Sequence, residues 1–142
     1  MYNLGLDIGT SFIKAALTEC SSGNVVNVVS QPSSEQKIKV FKDGWAEQDP
    51  EIWWKNTCLA IKNLISLTNI NPSLISRIGI SYQMHGLVLL DDNGNLIRDS
   101  IIWCDDRAVS VGKKAFIELG KEKCIDQLLN SPANFTASKL KW

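Results

Sequence analysis

Three short apolar stretches open the chain, and the turns that separate them are too short for a crossover connection. The stretches cover Asn3–Ile8, Phe12–Leu17 and Val25–Val29. Turn-forming residues lie between them, with Gly9 in the first joint and Gly23 in the second. Because neighbouring parallel strands need a connection of about a dozen residues or more, strands joined this closely pair antiparallel. The start of the chain therefore predicts an antiparallel sheet.

A long helix is predicted after the polar, irregular stretch from Gln31 to Gln48. Asp49 is a suitable N-cap, and Pro50 suits the first helical position. The pattern predicts that the helix ends near Thr68. Apolar side chains recur within it at spacings of four, three and four residues, which is typical of one buried helical face. The predicted buried face consists of Trp54, Cys58, Ile61 and Ile65.

The rest of the chain mixes strand and helix patterns. Arg77–Tyr82 reads as a buried strand, and a hairpin is predicted from Leu87–Leu90 and Asn95–Ile97 around an Asp-Asp-Asn-Gly turn. A short strand is predicted at Ile101–Trp103, and helices over residues 107–119, 123–129 and from 136 onward. This order predicts an α/β fold in which a mixed sheet is flanked by helices.

Charge and composition exclude several kinds of partner. Fifteen basic residues balance fifteen acidic ones, so no net field favours nucleic acid or an anionic membrane. No apolar run is long enough to span a bilayer, and no secretory leader pattern opens the chain, which predicts a cytoplasmic protein. The four cysteines include no C-x-x-C pair and the chain has one histidine, so neither a zinc site nor a disulfide framework is indicated.

The turn after the first predicted strand is the first candidate for chemistry. Gly9 permits close approach of the backbone to a phosphate, and Thr10 and Ser11 offer N–H and hydroxyl donors. Lys14, in the next strand, can reach a phosphate as a point charge. The negative Asp7 suits Mg²⁺ held through water. An ordinary hairpin turn has the same residues, and the spacing alone leaves both interpretations open.

The loop Gln83–Gly86 is the second candidate, because ligands gather at strand ends in open α/β sheets. Gln83 and His85 provide donors and acceptors that suit a polyhydroxylated substrate. The competing interpretation is a loop histidine without a ligand. Trp103 and Asp105 are the third candidate, since an indole face packs on a sugar ring while a carboxylate binds its hydroxyls. The competing interpretation there is a core tryptophan followed by a helix cap from Asp105 or Asp106.

Five segments, in this order, resemble the FGGY family of carbohydrate kinases. Residues 6–11 are similar to that family's first phosphate hairpin, and residues 45–54 to its W-x-E-Q-[DN]-P-x-x-W-W segment. Residues 80–91 resemble the Q-M-H-G stretch typical of xylulokinases, and residues 102–107 the W-x-D-x-R element. Residues 134–142 resemble the F-T-x-x-K-L-x-W stretch, although Asn134 stands where the family often has Gly and is expected to affect only the local turn.

The resemblance implies an actin-like, ribonuclease-H-like domain, two of which flank a cleft for ATP and sugar. It implies transfer of the γ-phosphoryl group of MgATP to a sugar hydroxyl, with D-xylulose favoured over other ketoses and polyols. Asp7 would help to hold Mg²⁺. The residues that would face the ATP phosphates are Gly9, Thr10, Ser11 and Lys14. The residues that would line the sugar site are Gln83, Met84, His85, Gly86, Trp103 and Asp105.

Residues 1–142 correspond, by this resemblance, to the N-terminal part of the first kinase domain. The family's catalytic base, a later aspartate, has no counterpart among them, so the chain by itself is expected to be inactive. Two other functions stay open: a non-catalytic sugar-sensing module, and an actin-like ATPase of chaperone type, against which the Q-M-H-G loop argues. A homodimer of the full-length protein also stays open.

Overall fold

The computed structural model describes residues 1–142, which form two compact units. The first unit consists of Met1–Lys37 and Glu51–Gln83, and the second of Ile38–Pro50 and Met84–Trp142. In chain order the strands are β1 (Tyr2–Ile8), β2 (Ile13–Glu19), β3 (Val25–Gln31), β4 (Glu47–Gln48), β5 (Ile75–Tyr82) and β6 (Ser100–Ile101). The helices are α1 (Pro50–Thr68), α2 (Val109–Glu118), α3 (Lys121–Leu128) and α4 (Thr136–Lys141).

The first unit is built on a four-stranded mixed sheet in the order β3-β2-β1-β5. The β1–β2 and β2–β3 pairs are antiparallel, which confirms the prediction made from the short joints. Strand β5 returns after helix α1 and pairs with β1 in parallel. The mixed α/β class is therefore confirmed.

Helix α1 has the bounds that the sequence predicted, but its most deeply buried positions are shifted by one residue, while Ile61 of the predicted face packs half-buried against the core. The predicted face included Trp54, which is 67% exposed. The helix instead packs its small residue Ala60 together with Leu64 against the sheet, and Thr57 is buried on the same side. The periodicity identified the helix, but the phase of its buried face was wrong by one residue because Ala and Thr were not counted as core positions. The core shared by the sheet and helix contains Leu4, Leu6, Ala15, Leu17, Val29, Ala60 and Leu64.

Strand β5 is exposed, and the prediction that it is buried was wrong. Ile78, Ile80 and Tyr82 each have about 60–70% of their surface exposed. The reason is its place at the edge of the sheet, where only β1 pairs with it. The apolar composition of β5 is typical of a strand whose two faces are both packed against other elements, and residues 1–142 leave much of its surface exposed.

The second unit contains the two-stranded β4–β6 sheet and the helices α2, α3 and α4. The sequence predicted the three helices but not strand β4. The predicted hairpin at residues 87–97 is present as a short antiparallel pairing without a named strand: Leu90 and Leu96 form a bridge, and the Ile97 amide donates to the Leu89 carbonyl at 3.0 Å. Its turn is present, because the Asp91 carboxylate accepts hydrogen bonds from the amides of Asn93 (2.9 Å) and Asn95 (2.8 Å). At the start of the predicted hairpin, Leu87 forms an antiparallel bridge with Ile101 of β6. None of the helices combines the length and hydropathy needed for a membrane span.

Candidate functional site

The turn Gly9–Ser11, called the phosphate-type turn below, and Gln83, the first residue of the Q-M-H-G loop, lie side by side in the first unit. Because β1 and β5 run parallel, their carboxyl ends reach the same edge of the sheet, with Ile8 opposite Tyr82. The amide of Gln83 donates to the Ile8 carbonyl at 3.0 Å. The Thr10 hydroxyl donates to Gln83 Oε1 at 3.2 Å. The predicted placement of both segments on one sheet edge is confirmed at Gln83.

The turn itself requires glycine. The Gly9 amide donates to the Phe12 carbonyl at 3.1 Å, and a Cβ on residue 9 would lie 2.7 Å from that oxygen. Such a contact is too short for any side chain, so the chain can bend this tightly only with Gly. The Ser11 carbonyl accepts from the Gln36 amide at 2.9 Å, which holds the other side of the turn. The turn is therefore a fixed structure that presents Thr10 and Ser11 at the sheet edge.

Asp7 and Lys14 face each other across the β1–β2 pair on the side of the sheet opposite the core. Both side chains are exposed, and no salt bridge joins them. They line an open hollow of about 480 Å³ on this face, together with Gly5, Ala16 and Gly79. A carboxylate that is not paired with the neighbouring lysine is available to the water shell of Mg²⁺, which proteins hold with one or two carboxylates plus substrate phosphates. Asp7 fits that requirement.

The remaining loop residues belong to the second unit. His85 has a φ of 61°, in the left-handed region that non-glycine residues rarely occupy. Its ring stacks on Phe135 with centroids 4.3 Å apart and an interplanar angle of 13°. The Gly86 carbonyl accepts from the Thr136 hydroxyl at 3.2 Å. Met84 is 64% exposed, so it is accessible on the loop surface.

Trp103 is also accessible, with half of its surface exposed. Its carbonyl accepts a short hydrogen bond from Asn134 Nδ2. Asn134 in turn accepts from the ammonium of Lys139 through its carbonyl at 2.7 Å and through Oδ1 at 2.9 Å. The expectation that Asn134 affects only the local turn is therefore wrong, because its side chain ties Lys139 to the backbone of Trp103.

Asp105 is fully buried and saturated with hydrogen bonds. Its carboxylate accepts from the Ala46 amide at 2.6 Å and from Arg107 Nε and Nη2 at 2.6–2.9 Å. It does not cap α2, which begins at Val109 after Ala108. Burial raises the pKa of Asp105, but the hydrogen bonds from Arg107 and Ala46 outweigh it and hold that pKa below its usual range. This geometry supports a structural role rather than the direct sugar contact that the resemblance implies.

Arg107 joins three motifs that the sequence showed only as separate segments. Its Nη1 lies 2.7 Å from Glu47 Oε1, and its guanidinium lies 3.8 Å above the ring of Trp45. Trp142 contributes a second ring, 5.3 Å away. The opposite charges of Glu47 and Arg107 were the only sequence signal for this cluster, because two residues 60 positions apart in the chain can lie at any distance in the fold.

Buried Lys139 lies near this cluster in the same unit, with 1% of its surface exposed. Burial lowers the pKa of Lys139, although the charge of Asp105 opposes that shift. The sequence did not predict that Asn134 contacts Trp103, that Phe135 stacks on His85, or that Thr136 bonds Gly86. Their only sequence signal was their place in the F-T-x-x-K-L-x-W stretch, and a sequence pattern does not say which other residues its members contact.

A mixed sheet with a glycine turn after its first strand and a parallel neighbour is an α/β architecture, and the sugar kinase structures that match it place it in the actin-like class. The profile of the N-terminal domain of the FGGY family of carbohydrate kinases matches residues 2–142. The chain belongs to the FGGY family of carbohydrate kinases.

Curated relatives and solved structures agree with this family. The chain is 34% identical over 146 residues to the xylulose kinase of Bacillus subtilis (strain 168), covering 99% of this chain and 28% of that protein. It is 41% identical over 106 residues to a xylulose kinase of Staphylococcus epidermidis, covering 73% of this chain and 20% of that protein. A xyloylose kinase structure from Brucella ovis superposes with a TM-score of 0.86 at 34% identity, over 100% of this chain and 29% of that one. The chain thus spans less than a third of the length of these relatives.

Proposed function

We propose that the full-length protein transfers the γ-phosphoryl group of ATP to a hydroxyl of D-xylulose, giving xylulose 5-phosphate. The observation that carries this proposal is the hydrogen bond from Thr10 in the phosphate-type turn to Gln83 in the Q-M-H-G loop. The bond places the turn and Gln83 at one sheet edge; if the turn binds phosphate and the loop binds the polyol, the two reactants would meet there, as phosphoryl transfer to a sugar requires. The names of the matched relatives support xylulose as the acceptor over other ketoses and polyols.

The nucleotide side of the proposed site is the turn and the two strands that carry it. The Gly9 amide and the Thr10 hydroxyl already donate to Phe12 and Gln83, so Gly9 would serve by letting the backbone approach the phosphates closely. The amides of Thr10 and Ser11 and the Ser11 hydroxyl would donate to ATP phosphate oxygens, and Lys14 would add a positive charge. Asp7 would hold Mg²⁺ through water. Bound Mg²⁺ neutralises charge on the transferring phosphoryl group.

The sugar side consists of Gln83, Met84, His85, Gly86 and Trp103. Gln83 Nε2 is buried and has no hydrogen-bond partner in the chain, so it is a donor available to a hydroxyl. His85 offers a donor or an acceptor from either ring nitrogen. Trp103 provides an accessible indole face for the apolar side of the sugar ring. Asp105 would support this side indirectly, by fixing the segment that follows Trp103.

We assign residues 1–142 to the N-terminal part of the first kinase domain of a longer protein. The coverage of the relatives and the exposed apolar side chains of β5 support this assignment. The base that activates the sugar hydroxyl would come from outside these residues, and the chain by itself is proposed to be inactive. The cytoplasmic location and a homodimer remain predictions.

The full-length protein tests the proposal directly. Purified protein is supplied with MgATP and, in turn, D-xylulose, other ketoses and polyols, and ADP release and sugar phosphate are both measured. The proposal expects the highest kcat/KM with D-xylulose. Sugar binding without phosphate transfer would instead support the sensing module, and ATP hydrolysis that no sugar stimulates would support the chaperone-type ATPase.

His85→Ala in the full-length protein is expected to raise KM for the sugar about tenfold to a hundredfold. The reason is the loss of a hydrogen bond to a hydroxyl that the complex buries, which costs on the order of 1–3 kcal/mol. KM for ATP is expected to change much less, since the turn uses other residues. Steady-state kinetics for both substrates measures the two effects.

His85→Asn is the control for the backbone, because Asn adopts the left-handed conformation of residue 85 more readily than Ala. The loss of sugar affinity is expected in both variants. If only His85→Ala were impaired, with both KM values raised and a lower melting temperature, then His85 would serve loop structure and not sugar binding.

A further inference from the structure

The conformation of His85 depends on contacts from the segment 132–139, which has no role in the proposed function. His85 is only half-buried, and its left-handed backbone is unfavourable unless neighbouring groups hold it. The contacts that hold it come from Phe135, whose ring covers one face of the imidazole, and from Thr136, which binds the next carbonyl. A stacked ring restricts rotation of the imidazole about its side-chain bond. The directions of both ring nitrogens are thereby set.

The segment that makes these contacts, residues 132–139, is held together by internal hydrogen bonds, and Asn134 Nδ2 ties it to the Trp103 carbonyl. The buried ammonium of Lys139 binds Asn134, and the Ser138 hydroxyl donates to the Pro132 carbonyl at 2.6 Å. On its other side, the segment packs directly on Gly112 of α2. A Cβ on residue 112 would lie 2.4 Å from Ala133 Cα. The position of Phe135 is therefore supported by contacts with Gly112 and Trp103 that do not involve the His85 loop.

We infer that Phe135 and Thr136 are positioning residues for sugar binding: they set the direction in which His85 presents its imidazole nitrogens. The inference rests on the proposed role of His85 in binding the sugar. Phe135 acts through the stack, and Thr136 acts by fixing the Gly86 carbonyl that follows. Hydrogen bonds weaken steeply when their angle departs from linearity, so an imidazole that rotates freely binds a sugar hydroxyl less well.

The first test is Phe135→Leu in the full-length protein, which retains an apolar side chain but removes the stack. KM for the sugar is expected to rise about three- to tenfold, the effect of losing one aromatic pair. KM for ATP is expected to stay within a factor of about two. Phe135→Tyr retains the stack and is expected to restore the original KM. Phe41→Leu is the control for the chemical change, since Phe41 is a phenylalanine of the same unit that lies outside this segment and α2 and is 70% exposed; it is expected to change neither KM.

A double-mutant cycle with His85→Ala separates positioning from general stability. If Phe135 acts through His85, then Phe135→Leu has no further effect on the sugar KM once His85 is Ala. Equal effects in both backgrounds, or no rescue by Phe135→Tyr, would overturn the inference while leaving the role of His85 intact. If His85→Ala by itself left the sugar KM unchanged, the proposed function of His85 would fail first, and the inference with it.

Discussion

Asp7→Asn in the full-length protein is expected to lower kcat for sugar phosphorylation by about 100- to 1000-fold, with little change in stability. Asp7 is exposed near the carboxyl end of the interior strand β1, makes no salt bridge with Lys14 and lies two residues before the turn at Gly9–Ser11. Removing its charge would weaken the hold on Mg²⁺, which stabilises the transferring phosphoryl group, and the loss of one such electrostatic contribution costs about this much in rate. The amide has nearly the same size as the carboxylate, so packing should be unaffected.

Asp92→Asn is the matched control for this prediction. Asp92 is also an exposed aspartate, in the turn of the second unit, and the chemical change is identical. Steady-state kinetics as a function of Mg²⁺ concentration should show a higher Mg²⁺ requirement for Asp7→Asn only. An unchanged kcat for Asp7→Asn at every Mg²⁺ concentration would assign Asp7 to sheet structure instead.

Asp105→Asn is expected to destabilise the protein by about 3–5 kcal/mol, the usual cost of removing one partner from a buried ion pair. Asp105 is fully buried, and its partner Arg107 has a side chain that is 1% exposed. The substitution removes one of the two carboxylates that compensate the buried guanidinium, leaving Glu47 as the other. It also replaces one carboxylate oxygen, a hydrogen-bond acceptor, with an amide NH₂ group that is a donor facing the Arg107 donors. A thermal melt is expected to show a fall of roughly 6–20 °C in the transition that includes residues 1–142.

Asp99→Asn is the control for this effect, since it removes a carboxylate from the exposed Lys39–Asp99 pair. Solvent screens that pair, so little change in stability is expected. The pH dependence provides a second check. The folded pKa of Asp105 is depressed, so its contribution is present above the unfolded value of about 3.9 and is lost as pH falls through the folded value. The difference between wild type and Asp105→Asn should therefore persist at neutral pH and shrink only in acid; equal melting temperatures at neutral pH would contradict the buried-pair account.

Most of the elements could be predicted because their signals are local. The joints around Gly9 and Gly23 are short, and strands separated by short joints can only pair antiparallel. Asp49 and Pro50 mark the start of α1, where cap preference and fixed proline geometry act within one turn. The phase of the α1 face was wrong because burial depends on what packs against a helix, and the sheet accepts the small Ala60 more closely than Trp54.

In the candidate site too, some features could be predicted from the sequence and others depend on the tertiary structure. Gly9, Thr10, Gln83 and His85 could be selected from residue chemistry and motif order. The exposed state of β5 could not, because it depends on the strand order of the sheet. The structural role of Asp105 could not either: the same residue type at the same spacing fits a helix cap, a sugar ligand or a buried ion pair, and only the position of Arg107 and Ala46 around it distinguishes them.

The sequence by itself determined the fold class, the family and the two ligand-type segments, because strand joints, helix caps and motif order are properties of residues close together in the chain. The tertiary structure alone decided which distant residues meet. Thr10 bonds Gln83 because β1 and β5 are parallel neighbours. His85 stacks on Phe135 because the segment 132–139, held together by Lys139 and packed on Gly112, lies against its loop. Such contacts join residues 50 or more positions apart, as with Thr136 and Gly86, and their partners are set by the packing of the whole chain rather than by any local preference.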